Sequence, residues 1–213
     1  MPKTIDPGRT NQRHRTRKDL LAAAGRLLKQ GRTPDMDEVA REAMVSRATA
    51  YRYFPTIEQL LVEAPLDGAV PDPHEVFAGE RSSDPAERVD KAEAALHEMV
   101  YRNAAQLRVM LAASLERAAT EAAASASATA RVPLRQNRRA PLIEAALAPS
   151  RDRFTGAAYR KLSAALALIF GVESMIVFTD VLGIDEKAAR KIKSWAATAL
   201  VDAALKESAA TRR

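Results

Sequence analysis

The run SRATAYRYF, residues 46–54, concentrates side chains that can bind a nucleic acid. Arg47 and Arg52 have planar guanidinium groups that can address guanine edges with two hydrogen bonds. Tyr51 and Tyr53 have hydroxyls that can donate to phosphate oxygens. An exposed helix face with two tyrosines and two arginines suits a nucleic acid, although packing of both tyrosines against another part of the chain is an alternative.

Helix signals around this run place it on the second helix of a helix-turn-helix. Asp35 can start one short helix through an approximate capping box, and Ser46 can cap the next helix, over residues 47–54. Ala50 and Phe54 are four residues apart and form the inner face of that helix. Two helices joined by so short a turn have the geometry whose second helix lies in the DNA major groove.

The rest of the chain also predicts helices. Alanine and leucine dominate, aromatic residues make up only 5% of the sequence, and no alternating run of β-branched residues indicates a strand. The class is therefore all-α. Helices are predicted over about 16–30, 57–64, 85–102, 103–120 and 155–182, with a last helix after Asp185.

The segment PLDGAVPDPHEVFAGERSSDP, which begins at Pro65, marks the best domain boundary because it is rich in proline, glycine and aspartate. Residues 1–64 are expected to form a basic arm and a helix-turn-helix domain, and residues 65–213 a larger helical domain. Pro65 is expected to end the fourth helix. The alanine-rich segment 121–133 is predicted to be a loop.

Charge and composition exclude several classes. The net charge is +6, and residues 1–18 carry six Lys or Arg against one Asp. This arm is expected to bind a polyanion, and the alternative is a solvated tail whose charge only keeps the protein soluble. The chain has no cysteine and no nucleophile, phosphate-loop or metal-ligand pattern, so we expect no enzyme, no cofactor and no metal site. It has no secretory signal and no apolar run of about 18 residues, which predicts a cytoplasmic protein without membrane contact.

The segment DEVAREAMVSRATAYRYFPTIEQLL, residues 37–61, resembles the DNA-binding domain of the TetR family of transcriptional regulators, with its pattern like T…IA..AGVS..T.Y.HF..K..L. The resemblance implies a helical second domain that binds a small ligand and forms a dimer. The side chains that it places on DNA are Arg47, Ala48 and Thr49 at the bases, Tyr51 and Tyr53 at phosphates, and Arg52 near the backbone or a base edge.

Two positions depart from the family pattern. Met44 stands where the family usually has a glycine in the turn, and a non-glycine residue with positive φ costs about 1 kcal/mol. Ile57 stands where the family usually has a lysine that holds a phosphate, so one ionic contact is missing. The basic arm is expected to compensate, along phosphates or in the minor groove, through Arg9, Arg13, Arg15 and Arg17. Ser46 completes the expected DNA-binding set.

The predicted helix 155–182 and the last helix are expected to form a homodimer interface. The first is apolar on two sides and the second places small residues beside a tryptophan, although burial of both faces within one chain is the alternative. Glu173 and Asp180 lie on an apolar face, where a carboxylate needs an Arg or Lys across the dimer, a backbone group to cap or a cationic ligand. The expected interface residues are Leu166, Ile169, Glu173, Ile192, Trp195 and Ala199.

Apolar and aromatic residues of the larger domain form a candidate pocket for a small, mostly apolar effector. A stripe of methionine and leucine at helical spacing also fits plain core. The candidate ligand-binding residues are Tyr101, Leu107, Met110, Leu111, Phe154, Met175 and Phe178.

Together these patterns predict a ligand-responsive transcriptional regulator that binds double-stranded DNA. A homodimer with two helix-turn-helix domains should bind a palindromic operator. It would act as a repressor where that operator overlaps a promoter, and the effector would release it. The alternative is a sequence-nonspecific DNA-binding protein, or a small-molecule carrier whose helix-turn-helix is impaired.

Overall fold

The computed structural model describes residues 7–123 and 137–212. Every regular element in these residues is a helix, which confirms the all-α class. The segment 121–133, predicted to be a loop, lies mostly outside the described residues.

Within residues 7–123 and within residues 137–212, the helices follow one another through short connections. A 3₁₀ turn (Ala148–Arg153) and a π-helical turn (Val177–Val181) extend two of them. In chain order, the α-helices are α1 (Pro7–Lys29), α2 (Met36–Glu42), α3 (Arg47–Tyr53), α4 (Ile57–Ala69), α5 (Pro73–Val76), α6 (Pro85–Arg102), α7 (Ala104–Ala123), α8 (Ala140–Leu147), α9 (Gly156–Ile169), α10 (Val172–Ile176) and α11 (Glu186–Thr211).

These helices belong to two compact units. The first unit comprises Met1–Ala69 and Ala105–Gln136, and the second comprises Val70–Ala104 and Asn137–Arg213. The first unit therefore contains α1 to α4 and nearly all of α7. The second contains α5, α6 and α8 to α11.

Side-chain caps set the start of the short helices in the first unit. Asp35 accepts a hydrogen bond from the Glu38 N–H at 2.8 Å, and the Glu38 carboxylate accepts one from the Asp35 N–H at 3.1 Å. The predicted capping box is therefore confirmed. Ser46 caps α3 as predicted, so both helices of the helix-turn-helix begin where the sequence indicates.

Two helix ends in the first unit differ from the prediction. α1 begins at Pro7 rather than near Thr16, so the basic arm from this residue onward is helical. α4 continues through Pro65 to Ala69 rather than ending before the proline. A proline inside a helix costs about 3 kcal/mol. Leu66, just beyond it, is 1% exposed, and burial of a leucine side chain offsets much of that cost, at about 1.5–3 kcal/mol.

The predicted inner face of α3, Ala50 and Phe54, is confirmed as part of the core of the helix-turn-helix. Val39, Ala50, Phe54 and Leu60 are each at most 2% exposed. Val45 is partly buried against them, and the leucines of α1 cover the same core. Apolar contacts in this core therefore hold α2, α3 and α4 together.

α6, α8, α9 and α11 pack together in the second unit. Arg88 joins α6 to the end of α8, because its Nε and Nη2 donate to the carbonyls of Ala146 and Ala145, both at 3.0 Å. The last carbonyls of a helix have no partner within it, so this arginine closes the end of α8. Buried apolar residues of the unit include Val89, Leu96, Leu142, Leu147, Leu162 and Val201.

The predicted helix 155–182 is not continuous. It divides into α9, α10 and the π-helical turn, with a break at Gly171. Gly171 has a φ of 117°, which side chains with a Cβ rarely adopt, and a Cβ there would lie 3.0 Å from Arg139 Nη2. Arg139 donates to the Ala167 carbonyl at 2.6 Å and to both carboxylate oxygens of Glu173. Arg139 therefore stabilises the break through hydrogen bonds to residues before and after Gly171.

Within the described residues, no single helix has both the length and the apolar character that would let it cross a membrane. Gly156–Ile169 and Val172–Val181 reach that composition only as a pair, and they are bent by 47°. The bend coincides with the break at Gly171.

A buried charge cluster joins α6 to α11. Glu93 is 0% and Lys193 is 2% exposed, and Lys193 Nζ lies 2.5 Å from Glu93 Oε1. Arg190 Nε lies 3.3 Å from the other Glu93 oxygen, and Arg190 Nη2 lies 2.8 Å from Asp90 Oδ1. Burial raises the pKa of Glu93 and lowers that of Lys193, whereas the attraction between the two ions opposes both shifts.

His97 completes this cluster as a neutral ring. Burial, together with the nearby charge of Lys193, lowers the pKa of His97 to about 4. Nδ1 of the ring lies 3.2 Å from Lys193 Nζ. Since a neutral imidazole nitrogen can accept a hydrogen bond, the ring satisfies a second donor of the buried ammonium.

Lys193→Met is expected to lower the free energy of unfolding by about 3 kcal/mol, because it leaves the buried Glu93 carboxylate without its closest cation. Urea unfolding followed by circular dichroism measures the change. Lys191→Met, at an exposed position of the same helix, is the control and should change this free energy by less than about 0.5 kcal/mol. Adding Glu93→Leu to Lys193→Met should recover most of the loss. Equal losses in the two single variants would contradict the stabilising role of the cluster.

Candidate nucleic-acid interface

α3 presents two chemically different faces. Its inner face, which includes Ala50, is buried in the core of the first unit. On the other side, exposed residues recur at a spacing of four, which places them along one strip of the helix. The exposed residues are Arg47, Ala48, Tyr51 and Arg52. This strip combines the cationic and hydroxyl groups that base and phosphate contacts use.

Ser46 and Thr49 fix the start of α3. The Ser46 hydroxyl oxygen accepts a hydrogen bond from the Thr49 N–H at 3.1 Å, and the hydroxyl donates to Thr49 Oγ1 at 2.9 Å. Ser46 is exposed and Thr49 is half-buried. Both hydrogen bonds of the Ser46 side chain lie within α3, so its first role is to set the helix start that positions Arg47.

Arg47 lies at the surface in two weak contacts. Its Nη1 donates to Asp37 Oδ2 at 2.9 Å, and its guanidinium lies 5.5 Å from the centre of the Tyr51 ring. Both partners of the ion pair are solvent-exposed, and such pairs contribute at most about 1 kcal/mol. A base edge or a phosphate can therefore replace Asp37 as the partner of Arg47 at small energetic cost. The sequence pattern did not indicate this pairing with Asp37.

The predicted phosphate contact of Tyr53 is corrected by the structure, because this side chain is buried at 3% exposure. Tyr53 lies three residues after Ala50 and therefore on the same side of the helix. Its carbonyl accepts a hydrogen bond from Arg17 Nη1 at 3.2 Å. Tyr51, which is 39% exposed, is the tyrosine of α3 that a phosphate can reach.

Arg17 also departs from its expected place on DNA. Its side chain is 5% exposed, and its Nη2 lies 2.5 Å from Glu63 Oε2. The guanidinium covers the Phe54 ring at 4.1 Å from the ring centre. Leu20 and Leu21 follow three and four residues later, so the helical spacing that buries them buries Arg17 as well. That spacing could have revealed the internal role.

Three further positions bear on DNA contact. Arg15 is exposed on α1 and stays a predicted contact. Met44 has a φ of 55° and is 92% exposed, so the turn keeps the conformation that glycine adopts freely, at a cost of about 1 kcal/mol. Ile57 packs against the core of the helix-turn-helix, which accounts for an apolar residue at this position.

A protein-family model described as bacterial regulatory proteins of the tetR family matches residues 20–64. The match runs from the apolar part of α1 through α2 and α3 into α4. The match supports membership of the TetR family of regulators. It indicates a DNA-binding transcriptional regulator. No curated protein and no solved structure matched the chain, and residues 1–19 and 65–213 lie outside the family match.

The residues expected at a dimer interface are only partly at the surface of the second unit. Ile192, Trp195 and Ala199 are exposed, with Trp195 at 73%. Ile169 is half-buried. Leu166 is 0% exposed, so its assignment to an interface is wrong. The assignment rests on a continuous helix over 155–182, and the break at Gly171 changes which side chains are exposed.

Glu173 has its partner within the same unit. Its Oε2 lies 2.9 Å from Arg139 Nη2. Of the roles considered for this carboxylate, pairing with an arginine is therefore found, but inside the chain rather than across a dimer.

The residues expected to line an effector pocket fall in both units. Leu107, Met110 and Leu111 belong to α7 in the first unit, and the other members of the set belong to the second. A common pocket for all of them stays a prediction. The members in the second unit are Tyr101, Phe154, Met175 and Phe178. Among the residues that the structure describes, no three His, Asp or Glu side chains are grouped so that they could hold a metal ion.

Tyr51→Phe is expected to weaken binding to all DNA duplexes by about tenfold, because it removes a hydrogen bond to a charged phosphate. Tyr53→Phe, on the buried side of the same helix, should change affinity by less than about twofold. Fluorescence anisotropy with a labelled duplex measures both. An equal loss in the two variants would show that the hydroxyl of Tyr51 makes no special contact.

Proposed function

We propose that this TetR-family protein is a repressor that binds a palindromic operator as a homodimer and is released by a small, mostly apolar molecule. The observation that carries the proposal is the exposed strip of α3, where Arg47, Tyr51 and Arg52 lie opposite a buried face. Arginine distinguishes bases in the major groove, and tyrosine binds phosphate. This combination supports sequence-specific binding rather than charge attraction alone.

A homodimer is supported by apolar side chains that the second unit leaves exposed. On α11, Ile192, Trp195 and Ala199 form an exposed stripe at three- and four-residue spacing, while the opposite side of the helix is buried. Leu168 and Val181, on elements that contact α11, are 78% and 72% exposed. Apolar surface of this kind marks an association site. A second copy across a two-fold axis would cover it with the same patch.

The symmetry of such a dimer determines the DNA site. Two copies of α3 related by a two-fold axis would enter successive major grooves, about 34–36 Å apart or a multiple of that distance. The operator is then an inverted repeat, and binding represses a gene where the repeat overlaps its promoter. An effector releases the protein if it binds the conformation without DNA better, by about 1–3 kcal/mol for a typical coupling.

Selection of the full-length protein against random duplex DNA, at near-physiological salt, tests this function. We expect an inverted repeat to be enriched, with an affinity about 10³-fold or more above that for random duplex. The control is the double variant Arg47→Ala, Arg52→Ala, which removes two exposed guanidinium groups and leaves the buried face of α3 intact. It should stay helical by circular dichroism and enrich no sequence.

Two other results would each overturn the proposal. Equal affinity for all duplexes, with a steep dependence on salt, would identify a sequence-nonspecific DNA-binding protein. A folded protein that ignores DNA would favour a small-molecule carrier. Measuring affinity at several salt concentrations separates these outcomes from specific binding.

Trp195→Glu is expected to convert the dimer to monomers, because it places a charge at the centre of the exposed apolar stripe of α11. Light scattering after size-exclusion chromatography measures the mass. Trp195→Phe keeps an apolar ring at this position and should leave the dimer intact. A dimer that survives Trp195→Glu would place the interface on another surface.

A further inference from the structure

A cavity of about 160 Å³ lies inside the first unit, at the carboxyl end of α3. Helices α1, α4 and α7 form its remaining walls. An apolar cavity of about 150 Å³ is large enough to hold one benzene ring, so the volume matches a single aromatic ring. The apolar residues that line it are Tyr53, Phe54, Val62, Val109, Met110 and Ala113.

The charged residues of this cavity favour a cation. Arg17 and Glu63 both line it, and they form the buried ion pair with each other. Arg17 also donates to the Tyr53 carbonyl and covers the Phe54 ring, so its charge is already engaged. Glu58 is a second carboxylate of the lining and leaves it with a net negative charge.

Glu58 stands at the mouth of the cavity. It is exposed, as is the neighbouring Gln59. Hydrogen bonds from the backbone at the start of α4, and from Thr56, hold the pKa of Glu58 below its usual range, so it is a carboxylate at neutral pH. A positive group on a ring inside the cavity can therefore reach an anion at the opening.

We infer that this cavity is an effector site, and that its ligand is a single-ring aromatic compound carrying a protonated amine. The ring would contact Phe54 and Met110, since aromatic and thioether groups pack well on an aromatic ring. The amine would point to Glu58. This inference rests on the proposed function, because it names the site at which a small molecule would release the protein from DNA.

A ligand in this cavity would contact the buried end of α3 and act on the DNA-binding strip through the helix itself. Tyr53 is the last residue of α3, and Phe54 caps the helix. The remaining side of the same helix carries Arg47, Tyr51 and Arg52. A molecule that moves the buried end of α3 would move its exposed strip as well, since a helix of this length shifts as one body.

Benzylamine is the probe, because it is a single ring with an amine that is protonated at neutral pH. The chain contains six methionines, and Met110 lies in the cavity. Methyl-labelled methionine therefore reports binding by NMR in the full-length protein. We expect benzylamine to shift the Met110 methyl with a Kd on the order of 1 mM. Met99 and Met175, in the second unit, should not shift. Benzoate should bind at least about fivefold more weakly.

Ala113→Leu, which fills the cavity, should abolish the Met110 shift. Ala112→Leu adds the same side chain at the neighbouring exposed position and should retain the shift. An unchanged shift of Met36, which is buried in the core of the same unit, verifies the fold of both variants. No Met110 shift in the unaltered protein, equal binding of benzoate, or equal shifts at all three methionines would overturn the inference.

The link to DNA is measured separately with the operator obtained by selection. Saturating benzylamine should alter operator affinity by about fivefold or more, and it should have no effect in Ala113→Leu. Binding without any effect on operator affinity would overturn the effector role of the cavity. If no operator is enriched, the proposed function fails, while the Met110 shift still decides whether the cavity binds the amine.

Discussion

The buried ion pair between Arg17 and Glu63 is the constraint on which the DNA-binding unit depends. One guanidinium holds three elements, because it pairs with a carboxylate of α4, donates to the last carbonyl of α3 and covers the Phe54 ring. A buried charge is tolerated only when its partners are fixed in place. The pair therefore fixes the position of α3 relative to α1 and α4, and with it the direction in which the exposed strip faces.

This arrangement explains why α3 can be so short. A seven-residue helix is unstable in isolation, and here the Ser46 cap, the buried Ala50 and Phe54 and the bond to Arg17 stabilise it from three sides. The exposed residues contribute little to that stability. Arg47, Tyr51 and Arg52 are therefore free to be chosen for DNA rather than for the fold, which is the usual division between a scaffold and the site on it.

The second unit uses the same kind of contact. Lys193 and Arg190 of α11 form ion pairs with Glu93 of α6, and Arg88 donates to a carbonyl at the end of α8. The side of α11 that faces away from these contacts carries the exposed apolar stripe around Trp195. The family match ends at residue 64, and these contacts define the packing of the second unit.

The sequence by itself determined the helical class, the capped starts of α2, α3 and α11, the core positions of the helix-turn-helix and the family, because caps, helical periodicity and the motif are local properties. Tertiary structure decided the rest. Arg17 and Tyr53 look like DNA contacts by residue type, but their sides of α1 and α3 face the core. The break at Gly171 depends on Arg139, which is distant in sequence, and Pro65 stays within α4 because burial of Leu66 favours a longer helix. In each case the deciding energy comes from burial and pairing between residues far apart in the chain, which no local pattern records.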